Sequence, residues 1–147
     1  MNDGNRKYGD NDVVLGGDGT RYTAAQLRQR VILVEPRIIL LRQIPVGAKE
    51  PLLVMTDRVL ELAPSDSPWG LVVDLQESKG ILSAEYRKFV VEHLPTLGAA
   101  CIAMAMYANP VVRGVSKFVA KRLGLNAGVY KNDEEAVSAL RATLRNS

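Results

Sequence analysis

Four polar residues near the middle of the chain have the types and spacing of a candidate site. Asp74 closes the apolar run at residues 69–75, and Glu77, Ser78 and Ser83 follow it closely. If the run is a strand of a parallel sheet, its carboxyl end opens onto the crevice where open α/β sheets bind ligands. A phosphate on either serine would add about two negative charges there. The alternative is that Asp74 only accepts loop N–H groups, Ser83 only caps a helix, and Ser78 is an ordinary loop residue.

A basic stripe forms a second candidate. Arg113, Lys117 and Lys121 recur every four residues, and Arg122 lies beside the last of them. On a helix this spacing places them on one face. Such a face attracts an acidic protein surface or anionic lipid headgroups. The alternative is a solvated helix surface with no binding role.

The segment Gly16-Gly17-Asp18-Gly19-Thr20 is similar to the nucleotide-binding motif of NAD kinases and diacylglycerol kinases. In those enzymes the glycines let the backbone approach phosphate, and a Rossmann-like half precedes the motif. Here the motif begins at residue 16, so we expect no such half before it. A glycine-rich turn or arm is the prediction, and a nucleotide-binding enzyme is the remote alternative.

The chain contains few of the residues that bind metal ions or act with a histidine as nucleophiles, since it has one cysteine and one histidine. Cys101 lies inside an apolar run and is predicted to be a buried thiol. His93 lies at the edge of an apolar helical stripe and is predicted to be a half-buried packing residue. A metal cluster or a Cys/His dyad needs more such groups. We therefore expect no catalytic activity, no metal and no cofactor.

The elements that would position these residues alternate as in an α/β domain. A flexible tail at residues 1–12, a hairpin within 12–23 and a short helix at 24–29 capped by Thr23 are expected first. Strands are predicted at residues 31–34, 38–44, 69–75, 100–108 and 129–130. Helices are predicted to begin at Pro51, after the Ser83 cap, at Asn109-Pro110 and after Asn132, where Asn132 and Glu135 have the spacing of a capping box.

The order β-β-α-β-α-β-α-β-α from Val31 to Arg145 resembles the STAS domain, and most closely the bacterial SpoIIAA-like (STAS/SEC14-type) group. The strand at 69–75, the helix from Asn109-Pro110 to Leu123 and the closing segment 129–137 carry the resemblance. It implies a non-enzymatic single domain with a mostly parallel or mixed sheet of about five strands and about four helices. Phosphoregulated members carry Asp-Ser-Ser-Gly where this chain has Glu77-Ser-Lys-Gly-Ile-Leu-Ser83, so their motif is absent.

Composition limits the function further. The chain of 147 residues predicts one domain, at residues 30–147, preceded by an N-terminal extension at 1–29. A net charge of +3 with few aromatic residues gives no indication of nucleic-acid binding. No apolar run is long enough to span a bilayer, no secretory signal is visible, and a single cysteine fits a cytoplasmic location.

These observations predict a cytoplasmic regulatory module that binds a protein partner. The expected docking surface comprises residues 76–82, the start of the Ser83 helix and the basic stripe. The alternative is a carrier of a lipid-like or small hydrophobic ligand, held in an apolar pocket between the sheet and the helices at residues 52–62 and 111–123. The N-terminal extension could instead pair with a partner or with a second copy of the chain.

Overall fold

The computed structural model describes residues 7–79, 83–107 and 126–146 of the chain. The strands within this part are β1 (Val13–Leu15), β2 (Arg21–Thr23), β3 (Val31–Glu35), β4 (Ile38–Arg42), β5 (Gly70–Asp74), β6 (Cys101–Ala105) and β7 (Asn126–Tyr130). The helices are α1 (Ala24–Arg28), α2 (Lys49–Leu62), α3 (Ala84–His93), a 3-10 turn (Leu94–Leu97) and α4 (Asp133–Arg145). The helix predicted after Asn109-Pro110 lies outside the described residues.

Five strands form one mixed sheet in the order β3-β4-β5-β6-β7. β3 runs antiparallel to β4, while β4, β5, β6 and β7 are parallel to one another. The predicted α/β class and the five-stranded sheet are thus confirmed. The carboxyl ends of four parallel strands lie at one edge, where ligand crevices form in such sheets.

Both faces of the sheet are covered, which explains why β5 and β6 are apolar along their whole length. All five residues of each of these strands are buried. On one face, Leu71 and Ile102 belong to the core formed with α2 and α3. On the other face, Val72 and Ala103 pack in a second core with α4.

The N-terminal segment packs into the first of these cores. The predicted hairpin is present as β1 and β2, and Thr23 caps α1 in a reciprocal capping box with Gln26. Val14 and Leu27 are buried together with α2. Contacts therefore cross the boundary suggested at residue 30.

Within the described part of the predicted tail, Asp10 and the Tyr8 carbonyl accept hydrogen bonds from Arg28. Two local expectations need correction. Helix α2 begins at Lys49, so Pro51 is its third residue, and there its missing N–H still leaves no helical hydrogen bond unmade. The last strand begins at Asn126 and not at Val129.

Helix α4 has the predicted cap in a modified form. The Asn132 side chain accepts from the Glu135 N–H at 2.9 Å. The Glu135 carboxylate accepts from the N–H of Lys131, one residue before the cap, at 3.3 Å. The cap is confirmed, whereas its reciprocal half is displaced by one residue.

One of the two edge strands of the sheet is β3, and it exposes Ile32, Leu33 and Val34. The register of β3 against β4 shifts between Leu33 and Glu35, which marks a bulge. Bulges at sheet edges hinder the addition of a further strand. The β3 edge is therefore apolar and exposed, but its bulge hinders regular hydrogen bonding with an added strand.

None of the helices in the described ranges has the length and apolar character needed to cross a membrane.

Candidate functional site

A polar cluster occupies the carboxyl edge of the parallel strands. Arg42 ends β4, Asp74 ends β5, and the two residues are register partners. Arg42 Nε donates to Asp74 Oδ2 at 3.1 Å, and an Arg42 Nη lies 3.9 Å from the Asp133 carboxylate at the start of α4. The sheet thus brings one guanidinium between two carboxylates that are far apart in sequence.

Asp74 is completely buried and uses both carboxylate oxygens. Oδ2 accepts from Arg42, and Oδ1 accepts from the N–H of Gln76 in the following loop at 2.7 Å. Asp74 therefore lies beneath the surface at the carboxyl edge of the sheet. Its burial follows from β5, whose other residues are also buried. The expectation that Asp74 accepts a loop N–H is confirmed.

Asp133 has the most unusual titration in this cluster. Burial, followed by its contact with the Asp74 carboxyl, raises the pKa of Asp133 to about 6, while Tyr107 and Arg42 oppose the shift. Its Oδ1 is buried and has no hydrogen-bond partner within the described structure. A proton on Asp133 that is donated to Asp74 would supply the missing hydrogen bond. Asp133 can therefore take up and release a proton at about pH 6.

Tyr107 lies beside this pair, directly beyond β6. It has a left-handed backbone, with φ at 54°, which is uncommon for a residue with a bulky side chain. Burial, followed by the charges of Asp74 and Asp133, raises the pKa of its hydroxyl to about 12. The hydroxyl thus stays protonated near neutral pH and can donate to the Asp133 carboxylate.

The loop after β5 carries two other predicted residues, Glu77 and Ser78, which are less buried than Asp74. Glu77 forms an ion pair with Arg30, with Oε1 3.1 Å from Nη2. Ser78 is half-buried, and its N–H donates to the Leu75 carbonyl at 3.1 Å. Glu77 also lines a recess of about 430 Å³ with residues of β2, α1 and β4.

A separate groove, which we call the α3 groove, lies at the start of α3. Its volume is about 430 Å³, and it is lined by Gly17, Gly47, Ala48, Lys49, Ser83, Glu85, Tyr86, Lys88, Phe89 and Glu92. Ser83 is exposed, and its Oγ accepts from the Tyr86 N–H at 3.1 Å, which confirms the predicted cap. Asp74, Glu77 and Ser78 do not line this groove, so the four predicted residues do not form a single site.

Two glycines shape the wall of the α3 groove by close approach. A Cβ on Gly17 would lie 2.7 Å from the Gly47 carbonyl oxygen, and a Cβ on Gly47 would lie 2.6 Å from the buried ring of Tyr86. Contacts this short require a residue without a side chain. The hairpin turn, the β4–α2 loop and α3 are thereby held against one another.

The Gly16–Thr20 segment forms the turn of the β1–β2 hairpin. The Gly19 N–H donates to the Gly16 carbonyl at 3.0 Å, and Gly19 has a φ of 84°. A strand follows the turn, and α1 begins only at Ala24. A phosphate-binding glycine loop presents a helix N-terminus to its ligand, and this turn leads into no helix. The predicted glycine-rich turn is confirmed.

His93 is half-buried and Cys101 is buried, as expected. His93 Nε2 lies 2.8 Å from Thr56 Oγ1, and its ring stacks on Phe89. Burial lowers the pKa of His93, against the opposing charge of Asp57, and burial raises the pKa of the Cys101 thiol. Across the described ranges, no group of three or more His, Cys, Asp or Glu residues could hold a metal ion. The basic stripe of Arg113, Lys117, Lys121 and Arg122 lies outside the described residues.

Comparison with known proteins gives no further constraint: no family model, curated protein or solved structure matches the chain. The STAS resemblance therefore remains a prediction from the order of elements.

Sequence reasoning found Asp74 but missed Arg42, Tyr107 and Asp133. One signal was available, because Arg42 and Asp74 each end an apolar run, and neighbouring parallel strands end at the same edge. The contact with Asp133 depends on how α4 crosses the back of the sheet. That placement has no local signature.

Two substitutions of Ser83 test its capping role: one removes the hydrogen-bond acceptor, and the other keeps an acceptor while adding a negative charge. Ser83→Ala removes the acceptor for the Tyr86 N–H and should lower the free energy of unfolding by about 1 kcal/mol. Ser83→Asp keeps an acceptor and should stay within about 0.5 kcal/mol of the wild type. Urea denaturation of both variants measures the difference. Equal losses in the two variants would contradict a capping role.

Proposed function

We propose that the protein is a regulatory module that binds a protein partner through the α3 groove. The observation that carries this proposal is the composition of the groove. Its wall includes backbone at Gly17 and Gly47, its floor includes the Phe89 ring, and exposed charges of both signs form its rim. Protein interfaces combine such an apolar centre with a polar rim.

The rim charges are arranged for recognition of a mixed-charge surface. Lys88 and Glu92 lie one turn apart on α3 with their charged atoms 4.0 Å apart, and both side chains are largely exposed. Lys49 places its Nζ 5.4 Å from the centre of the Phe89 ring. Exposed pairs of this kind contribute little to stability, so they are available for contacts with a partner.

Ser83 provides a means of regulation at the same groove. It is exposed and it begins α3, so a phosphate there would lie near the positive end of the helix. The added charge would change which partner residues the rim of the groove can accept. This element is carried over from the STAS resemblance and from the position of Ser83.

A lipid carrier has less support. The helix residues expected to line its pocket, Leu52, Met55 and Val59, are at most 3 % exposed and belong to the filled core. The second expected wall, at residues 111–123, lies outside the described residues. The described part therefore supports a surface-binding function over an internal cavity.

The test uses an exchange of charges that preserves both net charge and the ion pair. The double variant Lys88→Glu with Glu92→Lys reverses the polarity of this pair at the rim and leaves Lys49 and Glu85 unchanged. A partner captured by the wild-type protein from its native cells should be purified and titrated against both proteins. We expect the exchange to weaken binding at least tenfold, since like charges across an interface repel strongly.

The matched control is the same exchange at a pair on the far side of the sheet. Glu35 and Arg141 form an exposed ion pair between β3 and α4, outside the α3 groove. Exchanging them should leave the dissociation constant unchanged. Equal affinities of the wild type and the Lys88/Glu92 exchange would overturn the proposal, as would recovery of a lipid-sized ligand in place of a protein.

A further inference from the structure

A second recess, which we call the arginine recess, shares no lining residue with the α3 groove. It has a volume of about 430 Å³ and is lined by Arg21, Tyr22, Gln26, Gln29, Arg30, Arg42 and Glu77. These residues come from β2, α1 and the carboxyl edge of the sheet. Carboxyl edges of parallel strands are where open α/β sheets hold ligands.

The charges of the arginine recess are unbalanced. Three arginines line it against one glutamate. Glu77 pairs with Arg30, and Arg42 pairs with Asp74 behind the wall. Arg21 forms no ion pair with any residue that the structure describes, and it is exposed. The lining residues alone therefore carry an excess of two positive charges, and the carboxylates of Asp74 and Asp133, which contact Arg42 from behind the wall, reduce the net charge.

Two of the arginines are held in place before any ligand arrives. Arg30 donates to the carbonyls of Arg42 and Gln43 at 3.4 Å, in addition to its pair with Glu77. Arg42 is fixed through its Nε by the buried carboxylate of Asp74. A guanidinium has five N–H donors, so Arg42 retains donors beyond this contact. Groups held in this way lose little freedom when a ligand binds.

We propose that the arginine recess binds a phosphate dianion, either free or as a small phosphomonoester. The three arginines of the lining attract its negative charges. Guanidinium groups from three different elements can each meet an oxygen of a tetrahedral anion, which a carboxylate with two oxygens cannot match. The amides of Gln26 and Gln29 add neutral donors at the rim.

Glu77 competes with the ligand for Arg30. Substitutions of Arg21 and of Glu77 should therefore have opposite effects on phosphate binding. Arg21→Gln removes a cation that has no described ion-pair partner, and it should weaken phosphate binding about tenfold. Glu77→Gln removes the competing carboxylate and should strengthen binding several-fold. Arg30 keeps its two backbone contacts in that variant. Both substituted side chains are exposed, so both variants should fold, which thermal melts would verify.

Isothermal titration calorimetry of the full chain with inorganic phosphate at pH 7.5 and low ionic strength tests the proposal. We expect saturable binding by the wild type, with acetate at least tenfold weaker because it carries one charge. Arg145→Gln is the matched control, because it removes an exposed arginine outside the arginine recess. It should leave the affinity unchanged.

Titration with O-phosphoserine distinguishes the two sources of the dianion. Tighter binding than that of inorganic phosphate assigns the arginine recess to a phosphomonoester, and weaker binding assigns it to free phosphate. Absence of saturable phosphate binding would overturn the inference, and so would equal weakening by Arg21→Gln and Arg145→Gln. These outcomes are independent of the partner-binding experiment, which tests residues of the other groove.

Discussion

Replacing Asp74 by alanine should lower the free energy of unfolding by about 3 kcal/mol at pH 7.5. The substitution removes the carboxylate that holds Arg42, and it leaves the Gln76 N–H without its acceptor. The loss is limited because the Arg42 side chain is 38 % exposed and can be solvated in part. Urea denaturation of the wild type and the variant measures the change.

Asp74→Asn separates the contribution of the charge from that of the hydrogen bond, and Asp66→Ala serves as the control. Asp74→Asn keeps an acceptor for the Gln76 N–H while removing the charge, so its loss should be smaller than that of alanine. Asp66→Ala removes an exposed carboxylate and should change stability by less than about 0.5 kcal/mol. A loss at Asp74 no larger than the loss at Asp66 would contradict the structural role assigned to the buried carboxylate.

Replacing Asp133 by asparagine should raise stability at pH 7.5 and flatten its dependence on pH. In the folded protein Asp133 has a pKa of about 6, against an ordinary value of 3.8. The folded state therefore holds a proton that the unfolded state has already lost between these two values. The stability that this proton provides is complete below pH 3.8 and is lost as the pH rises through about 6.

We expect Asp133 to make the wild type less stable at pH 7.5 than at pH 5 by about 1 kcal/mol, since solvent screens part of the effect at this partly exposed group. The lowered pKa of His93 acts in the opposite sense, so the contribution of Asp133 is read from the difference between the wild type and the variant. An asparagine amide can donate to Asp74 at every pH, so the variant should regain about this amount at pH 7.5. Chemical denaturation from pH 5 to 8 measures both slopes. The groups that contact Asp133 are Asp74, Arg42 and Tyr107, and all three are retained in the variant.

Glu134→Gln is the control for the Asp133 experiment. Glu134 carries the same charge in the same first turn of α4 but is exposed. Its substitution should leave the slope with pH unchanged and lower stability slightly, through the loss of a favourable charge at the helix N-terminus. If Asp133→Asn and Glu134→Gln change the slope equally, the shared proton between Asp133 and Asp74 is the wrong explanation.

Local sequence signals were sufficient to predict most elements of the fold. The uninterrupted apolar run that contains Val72 has the character of a strand covered on both faces, and β5 is such a strand. Thr23, Ser83 and Asn132 each begin a helix through a side-chain hydrogen bond that depends only on neighbours in sequence. Such short-range interactions can be recognised from spacing alone.

Boundaries and burial at the candidate site were predicted less well, for physical reasons. Pro51 is tolerated at several positions of a first helical turn, so it does not define where α2 begins. Asp74 ends its strand but is enclosed by Arg42 and by the loop at Gln76, and these are tertiary contacts. The approach of Asp133 to Asp74 depends on the crossing of α4, which no local residue determines.

Arg42 belongs to two sites at once, because its guanidinium holds the carboxylate cluster and also lines the arginine recess. Any anion that draws positive charge from Arg42 weakens its hold on Asp133 and makes that carboxyl a stronger base. Thermodynamic reciprocity then requires that protonation of Asp133 tighten anion binding by the same factor. Arg42 thereby couples the protonation state of Asp133 to the binding of an anion in the arginine recess.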